Sequence, residues 1–423
     1  MKSGAKVLPF YEPTKYFSKK VINFHKLLNR FDKLLLIYAY RLHFVSCTYQ
    51  IGCLRLKRGL KILKNIKYFI KYTFFLHMSA KSCTFALDLL HMATINDIRK
   101  PIAPFWKRYE AMKDEVLSAN DDKRLHEVLR YIASRSGKQL RPLVVLLSAQ
   151  ICNPITDKTL RTAVALEMLH TASLVHDDVV DNSDTRRGQP AVHTLWSNKI
   201  AVLTGDYMLA QVIGLVAEVR NIRILEIVSQ LGRSLSSGEM LQLHAGQTMW
   251  IDEAQYLRVI EQKTARLFQA CAEAGGESAG CTQRQRAALC KYGRLLGLCF
   301  QIKDDIFDYS DLEELGKPTM SDLRDGKVTL PLISALQRAP KDEADRIRTY
   351  GERLVAKEYT DAEQTRILEE IKSFVLRFHG DEYAVQRMLA YKKEATDALD
   401  AFRDCEEKRS LTALLDFAIN RIQ

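Results

Sequence analysis

The sequence predicts an all-α protein built as a large helical bundle, on three observations. Prolines are few, with none between Ala191 and Lys317 and none after Pro340. Apolar residues recur with the 3.6-residue period of a helix over long stretches. Runs of alternating β-branched residues joined by Gly/Asn turns, the mark of paired strands, are not visible.

In chain order, the periodic stretches are 161–180, 201–219, 224–244, 253–274, 285–309 and 327–336. Breaks are expected at Asn153-Pro154, Arg187-Gly188-Gln189-Pro190, Gly275-Gly276 and Gly316-Lys317-Pro318, where Gly and Pro interrupt the pattern. Patterning begins only near Met92, so the chain divides into an extension, 1–91, and a domain, 92–423. A domain of about 330 residues is long by the usual prior but suits a large bundle.

The extension is strongly basic. Residues 1–77 hold 16 Lys and Arg against Glu12 and Asp32, so the rest of a chain with net charge +12 is close to neutral. That distribution argues against a nucleic-acid surface. A mitochondrial transit peptide would be basic but richer in Arg and Ser than this Lys-dominated stretch. A membrane anchor needs about 20 apolar residues, far more than the run 34–40, so no transmembrane segment is expected. A peripheral amphipathic helix over 21–44 is a further reading. The favoured expectation is that the extension is not part of the working protein, with Met78 or Met92 as the start and a cytoplasmic location. A mitochondrial location follows if the extension is a true transit peptide. The nine cysteines are scattered and never form a C-x-x-C pair, which suits free thiols in a reducing compartment.

Chemistry is concentrated in two acidic motifs. In Asp177-Asp178-Val179-Val180-Asp181, Asp177 and Asp181 are i and i+4 on one helix face, with Ser173 and His170 one and two turns before them. Gln301-Ile302-Lys303-Asp304-Asp305-Ile306-Phe307-Asp308 repeats the pattern, with Gln301, Asp304, Asp305 and Asp308 at helical spacing. One such motif is as often a solvated helix face as a site. Two, on apolar helices, suit hard divalent cations such as Mg²⁺, which take a few carboxylates and complete their shell with phosphate oxygens. The cations agree with that. Gly137-Lys138-Gln139-Leu140-Arg141-Pro142 and Asp184-Thr185-Arg186-Arg187-Gly188 supply an ammonium and guanidinium forks for phosphate.

In this order, and with Gly205-Asp206-Tyr207 and Lys263-Thr264, these motifs resemble the trans-prenyl diphosphate synthases. The likeness runs from about Met92 to the end and is to the long-chain branch, the octaprenyl and solanesyl diphosphate synthases. It implies the isoprenoid-synthase fold, an antiparallel helical bundle around a central cavity, and a homodimer. It implies Mg²⁺ at Asp177, Asp181 and Asp304, with Asp178, Asp305 and Asp308 completing the catalytic carboxylates. Lys138, Arg141, His170 and Arg187 match positions for isopentenyl diphosphate. Arg186, Lys263, Thr264 and Gln301 match positions for an allylic diphosphate (farnesyl or geranyl diphosphate), and Lys317 and Lys327 match further diphosphate-binding lysines. The implied reaction ionises the allylic diphosphate and lets the isopentenyl double bond attack the resulting cation. The released diphosphate takes the proton, so no protein base is needed.

Ala172 and Ser173 are small where short-chain members carry aromatic plugs. They predict a product of about C40 to C50, suited to a respiratory quinone side chain. A geranylgeranyl-type synthase, a class I terpene cyclase and a non-catalytic synthase subunit are the alternatives. A cyclase would carry an Asn/Ser/Glu-type second motif, and a subunit would lack one acidic motif.

Overall fold

The computed structural model describes residues 93–118, 122–135, 137–248, 250–309 and 320–420. The extension and Lys317, with the break around it, lie outside the described residues.

The described residues are helical almost throughout. The amino-terminal part runs α1 (Ile95–Arg99), α2 (Ala103–Ser118), α3 (Lys123–Ala133), α4 (Leu140–Gln150) and α5 (Asp157–Val180). A two-residue antiparallel pair, β1 (Thr185–Arg186) and β2 (Gln189–Pro190), leads into the short α6 (Val192–Leu195). The middle holds α7 (Asn198–Val219), α8 (Ile222–Thr248), α9 (Glu253–Ile260), α10 (Arg266–Ser278) and α11 (Gln283–Phe307). After α12 (Ser321–Arg324) come α13 (Leu330–Arg338), α14 (Lys341–Val355), α15 (Asp361–Arg377), α16 (Gly380–Ala398) and α17 (Glu406–Asn420).

Helix α5 is the axis of the first half. A capping box at Thr156 and Thr159 starts it, and its buried residues are spread around its circumference rather than along one stripe. It can be apolar all round because α4, α7 and α10 pack against it, so little of its surface meets water. In the second half α11 plays the same part, packed between α10 and α16. The two motif-bearing helices are therefore central to their halves, and their acidic motifs lie at the carboxyl ends.

Three expectations change. The stretch 253–274 is not one regular helix: α9 passes through a π-helical turn, Glu261–Ala265, before α10 begins. Gly275-Gly276 does not break α10, which continues to Ser278. The glycines are there for proximity: a Cβ on Gly275 would stand 2.3 Å from the Val145 carbonyl oxygen of α4. The stretch 327–336 also begins late, at Leu330.

Helix α7 is long and apolar enough to span a membrane by length and composition, with a mean hydropathy of 1.7, and among the described residues no other helix is. One side packs on α5, while Leu203 and Ile213 on the other are 64% and 67% exposed. Ile222, at the start of α8, is 71% exposed. These side chains form an uncovered apolar face.

Tyr292 ties the second half together. It is fully buried on α11, and its hydroxyl donates to the Leu411 carbonyl of α17 at 2.8 Å. Tyr292→Phe is expected to cost about 1 kcal/mol in urea unfolding, and Tyr292→Ala about 3–5 kcal/mol. Equal costs would mean that the hydroxyl, and not the ring, carries the contact.

Candidate active site

The carboxyl ends of α5 and α11 open into one cavity of about 670 Å³. Asp177 and Ser173 line it from α5, and Asp304 and Gln301 from α11. Arg141, His170, Arg186, Arg187, Lys263 and Thr264 line it as well. Residues spread over more than 160 positions of sequence thus face one space, while Lys138, Asp178, Asp181, Asp305, Asp308 and Lys327 are not among its lining residues.

On the α5 side, burial pushes Asp177 up to about 6, with Glu239 and Asp181 adding to the rise and Lys263 and Arg186 opposing it. Lys263 is held by Glu239 at 2.8 Å and donates to the Gln242 side-chain oxygen at 2.9 Å. Asp181 caps the helix and is exposed. Asp178 is buried, and its carboxylate takes the Arg186 Nε at 2.5 Å. Its part in the geometry is to aim Arg186.

The arginines come from a tight hairpin. Arg187 and Gly188 both have positive φ, +52° and +70°, as a two-residue turn between β1 and β2 requires. Arg187 donates to the Arg135 carbonyl at 2.7 Å, and its guanidinium occupies the place of a Gly137 side chain, 2.8 Å from where a Cβ would be. This close approach explains Gly137 in the Gly137-Lys138 motif. Arg141 projects from the first turn of α4 over the Phe268 ring, 5.3 Å from its centroid. Between these cations, His170 is held well below its ordinary pKa, by burial and then by Arg141, Arg187 and Arg186, so it stays neutral. Lys138 is placed differently: its ammonium sits over the Phe417 ring at 5.5 Å, away from the residues lining the cavity.

On the α11 side the two adjacent acids part company. Asp304 faces the large cavity, whereas Asp305 is buried and faces a neighbouring one of about 240 Å³. Tyr256 donates its hydroxyl to Asp305 at 2.5 Å, and the Gln301 amide donates to it at 2.9 Å. Thr264 in turn donates to the Gln301 oxygen at 2.7 Å. Burial, then Asp322, pushes Asp305 up to about 8. Asp308 accepts the backbone N–H of Asp322 at 3.1 Å. Asp322 is itself pushed up to about 6, first by burial and then by Asp308. Lys327 lines the second cavity near these acids; burial works against its charge, but Asp325, Asp322 and Asp181 raise it.

Three participants were not anticipated: Glu239, Tyr256 and Asp322. Asp322 had a signal, as part of an acidic pair with Asp325 just ahead of Lys327. Glu239 and Tyr256 had none, because each meets its partner only through tertiary packing. The paired small residues also divide. Ser173 lines the cavity one turn from Asp177, but Ala172 is 0% exposed within the packed core.

Among the described residues no group of three or more His, Cys, Asp or Glu is gathered closely enough to hold an ion alone. Asp177 and Asp304 offer oxygen donors from two helices to one cavity, and burial raises Asp177 toward neutrality despite Lys263 and Arg186 nearby. That fits a hard cation completed by phosphate oxygens rather than an all-protein cage.

The family model for polyprenyl synthetase matches residues 122–369. An octaprenyl diphosphate synthase of Haemophilus influenzae is 37% identical over 292 residues, 69% of this chain and 86% of that protein. A geranylgeranyl diphosphate synthase of Methanosarcina mazei is 33% identical over 318 residues, 74% of this chain and 94% of that one. The crystal structure of a polyprenyl synthase from Caulobacter crescentus CB15, complexed with calcium and isoprenyl diphosphate, superposes with a TM-score of 0.68. It is 32% identical and covers 78% of this chain and 98% of its own. With carboxylates from two helices and a ring of cations facing one cavity, the chain belongs to the polyprenyl synthetase family and is a trans-prenyl diphosphate synthase, a prenyltransferase of all-α fold.

Proposed function

We propose that the chain is a long-chain all-trans synthase. It joins isopentenyl diphosphate head-to-tail to farnesyl or geranyl diphosphate, giving a product of about C40 to C50 for a quinone side chain. The carrying observation is that Asp177 and Asp304 face one cavity from two helices while Arg141, Arg187 and His170 line the same space. A relative solved with calcium and isoprenyl diphosphate supports a divalent cation and that class of ligand. Residues 92–423 are proposed to be the whole catalytic domain.

Asp177, Asp181 and Asp304 would hold Mg²⁺ together with the oxygens of the allylic diphosphate. When bound, the metal supplies positive charge to the leaving diphosphate. Lys263, steadied by Glu239 and Gln242, and Arg186, steadied by Asp178, bind the same diphosphate. Thr264 and Gln301 fix its orientation, with Asp305, Asp308 and Lys327 supporting the wall around them. Arg141, Arg187 and neutral His170 take the second diphosphate, and a neutral imidazole can donate one hydrogen bond without adding charge. Leu174, Leu235, Leu267 and Phe300 keep water from the allylic cation while the double bond attacks it.

Chain length rests on Ser173. Relatives with four-unit and eight-unit products are almost equally similar, so similarity does not choose between them. A small side chain one turn from Asp177 leaves the cavity open toward the body of the bundle. The apolar face at Leu203, Ile213 and Ile222 supports a homodimer formed through α7 and α8. A concentration-independent monomer in light scattering would remove that reading.

Incubation with Mg²⁺, farnesyl diphosphate and labelled isopentenyl diphosphate should yield elongated diphosphates. A cyclic hydrocarbon would indicate a cyclase, and no turnover a subunit that needs a partner. Asp177→Asn and Asp304→Asn are each expected to lower kcat by a factor of about 10² or more, with little loss of stability. Ser173→Phe should shorten the product by several units; an unchanged product distribution would show that the chain takes another path. Ala172→Phe should act mainly by overpacking, at a cost of about 1–3 kcal/mol.

A further inference from the structure

Away from the carboxylates, two half-buried thiols meet. Cys152 follows the carboxyl end of α4, and Cys281 lies in the turn between α10 and α11. The ionisation of each thiol is influenced first by the other, as for neighbouring groups. The backbones that carry them are fixed independently. Asn153 donates its amide to the Ala279 and Gly280 carbonyls at 2.8 and 3.4 Å, bridging the two turns. The backbone N–H of Cys152 donates to Ala149 at 2.9 Å, and that of Cys281 to Gly276 at 3.0 Å. The other described cysteines are placed otherwise. Cys271 and Cys299 are buried, and Cys290 has Glu273 and Gln269 as side-chain partners.

We propose that Cys152 and Cys281 form a reversible disulfide site, oxidised by a low-molecular-weight disulfide such as glutathione disulfide. A bridge needs the two Cβ atoms roughly 3.5–4.5 Å apart, and Asn153 already ties the residue after Cys152 to the residue before Cys281. The pairing favours the thiolate of Cys281 and disfavours that of Cys152, so Cys281 is assigned as the attacking group. Its thiolate displaces one glutathione thiolate and forms a mixed disulfide. Cys152 then attacks the Cys281 sulfur, gives up its proton to the solvent, and releases the second glutathione. Two protein thiols are oxidised to one disulfide while one glutathione disulfide is reduced to two thiols.

The bridge would close a loop of about 130 residues, long enough for a large restriction of the unfolded chain. It would join the end of α4 to the corner between α10 and α11. Along α11, Cys281 and Asp304 are about 35 Å apart at the helical rise. Its effect therefore falls on the stability of the bundle, and the proposal does not depend on which product the enzyme makes.

The test uses the full chain, equilibrated at native temperature with excess glutathione disulfide and mapped without reduction. The expected result is a peptide holding Cys152 linked to one holding Cys281, with a thermal midpoint higher by roughly 5 °C or more. Dithiothreitol should reverse both. Cys152→Ser and Cys281→Ser should each abolish the linked peptide and the shift, while Cys290→Ser keeps both. Glutathione adducts at these positions with no linked peptide, or a linked peptide only after thermal unfolding, would overturn the proposal.

Discussion

Everything near the cavity follows from one electrostatic constraint: carboxylates withdrawn from water have to be matched with positive charge or protons. Burial first, and neighbouring carboxylates after it, move Asp177, Asp305 and Asp322 toward neutrality. The protein meets that demand unevenly. Asp178 receives a guanidinium, and Asp305 receives the Tyr256 hydroxyl and the Gln301 amide. Asp177 and Asp304 instead face the large cavity. Each acidic motif therefore has one acid that lines the cavity beside a neighbour that faces the scaffold.

The cationic wall shows the same division. Arg187 is seated in the space left by Gly137 and braced by the Arg135 carbonyl, so its fork is positioned before any ligand arrives. His170 stays neutral because it is buried, and because a further charge beside three guanidiniums would be repelled. Such preorganisation lowers the ordering cost when two polyanionic substrates bind side by side.

Much of this was legible in the sequence because helical spacing fixes which residues share a face. The four-residue step from Ser173 to Asp177 translates directly into a lining, whereas Asp181, one turn further on, caps the helix. Spacing could not say how adjacent acids would split, since Asp304 and Asp305 are separated by only one helical step and packing decides which one meets Tyr256. It could not separate Ala172 from Ser173 for the same reason. The break expected at Gly275-Gly276 reflected average glycine behaviour; here the missing side chains admit the α4 backbone, so the helix continues. Lys138 lies in the expected motif, yet its ammonium rests on Phe417, a contact across nearly the whole domain that no local pattern encodes.

The π-helical turn Glu261–Ala265 carries both Lys263 and Thr264. Such a turn is one residue wider than the α-helical turn it replaces, and π-turns are frequent at functional sites. Removing a single residue there would restore regular pitch with the flanking helices near their present register, and would change the direction of the side chains on the turn itself. Lys263 and Thr264 would then no longer point to the same cavity as Gln301. The wide turn is thus as much a determinant of where the Lys263 and Thr264 side chains point as the residues themselves.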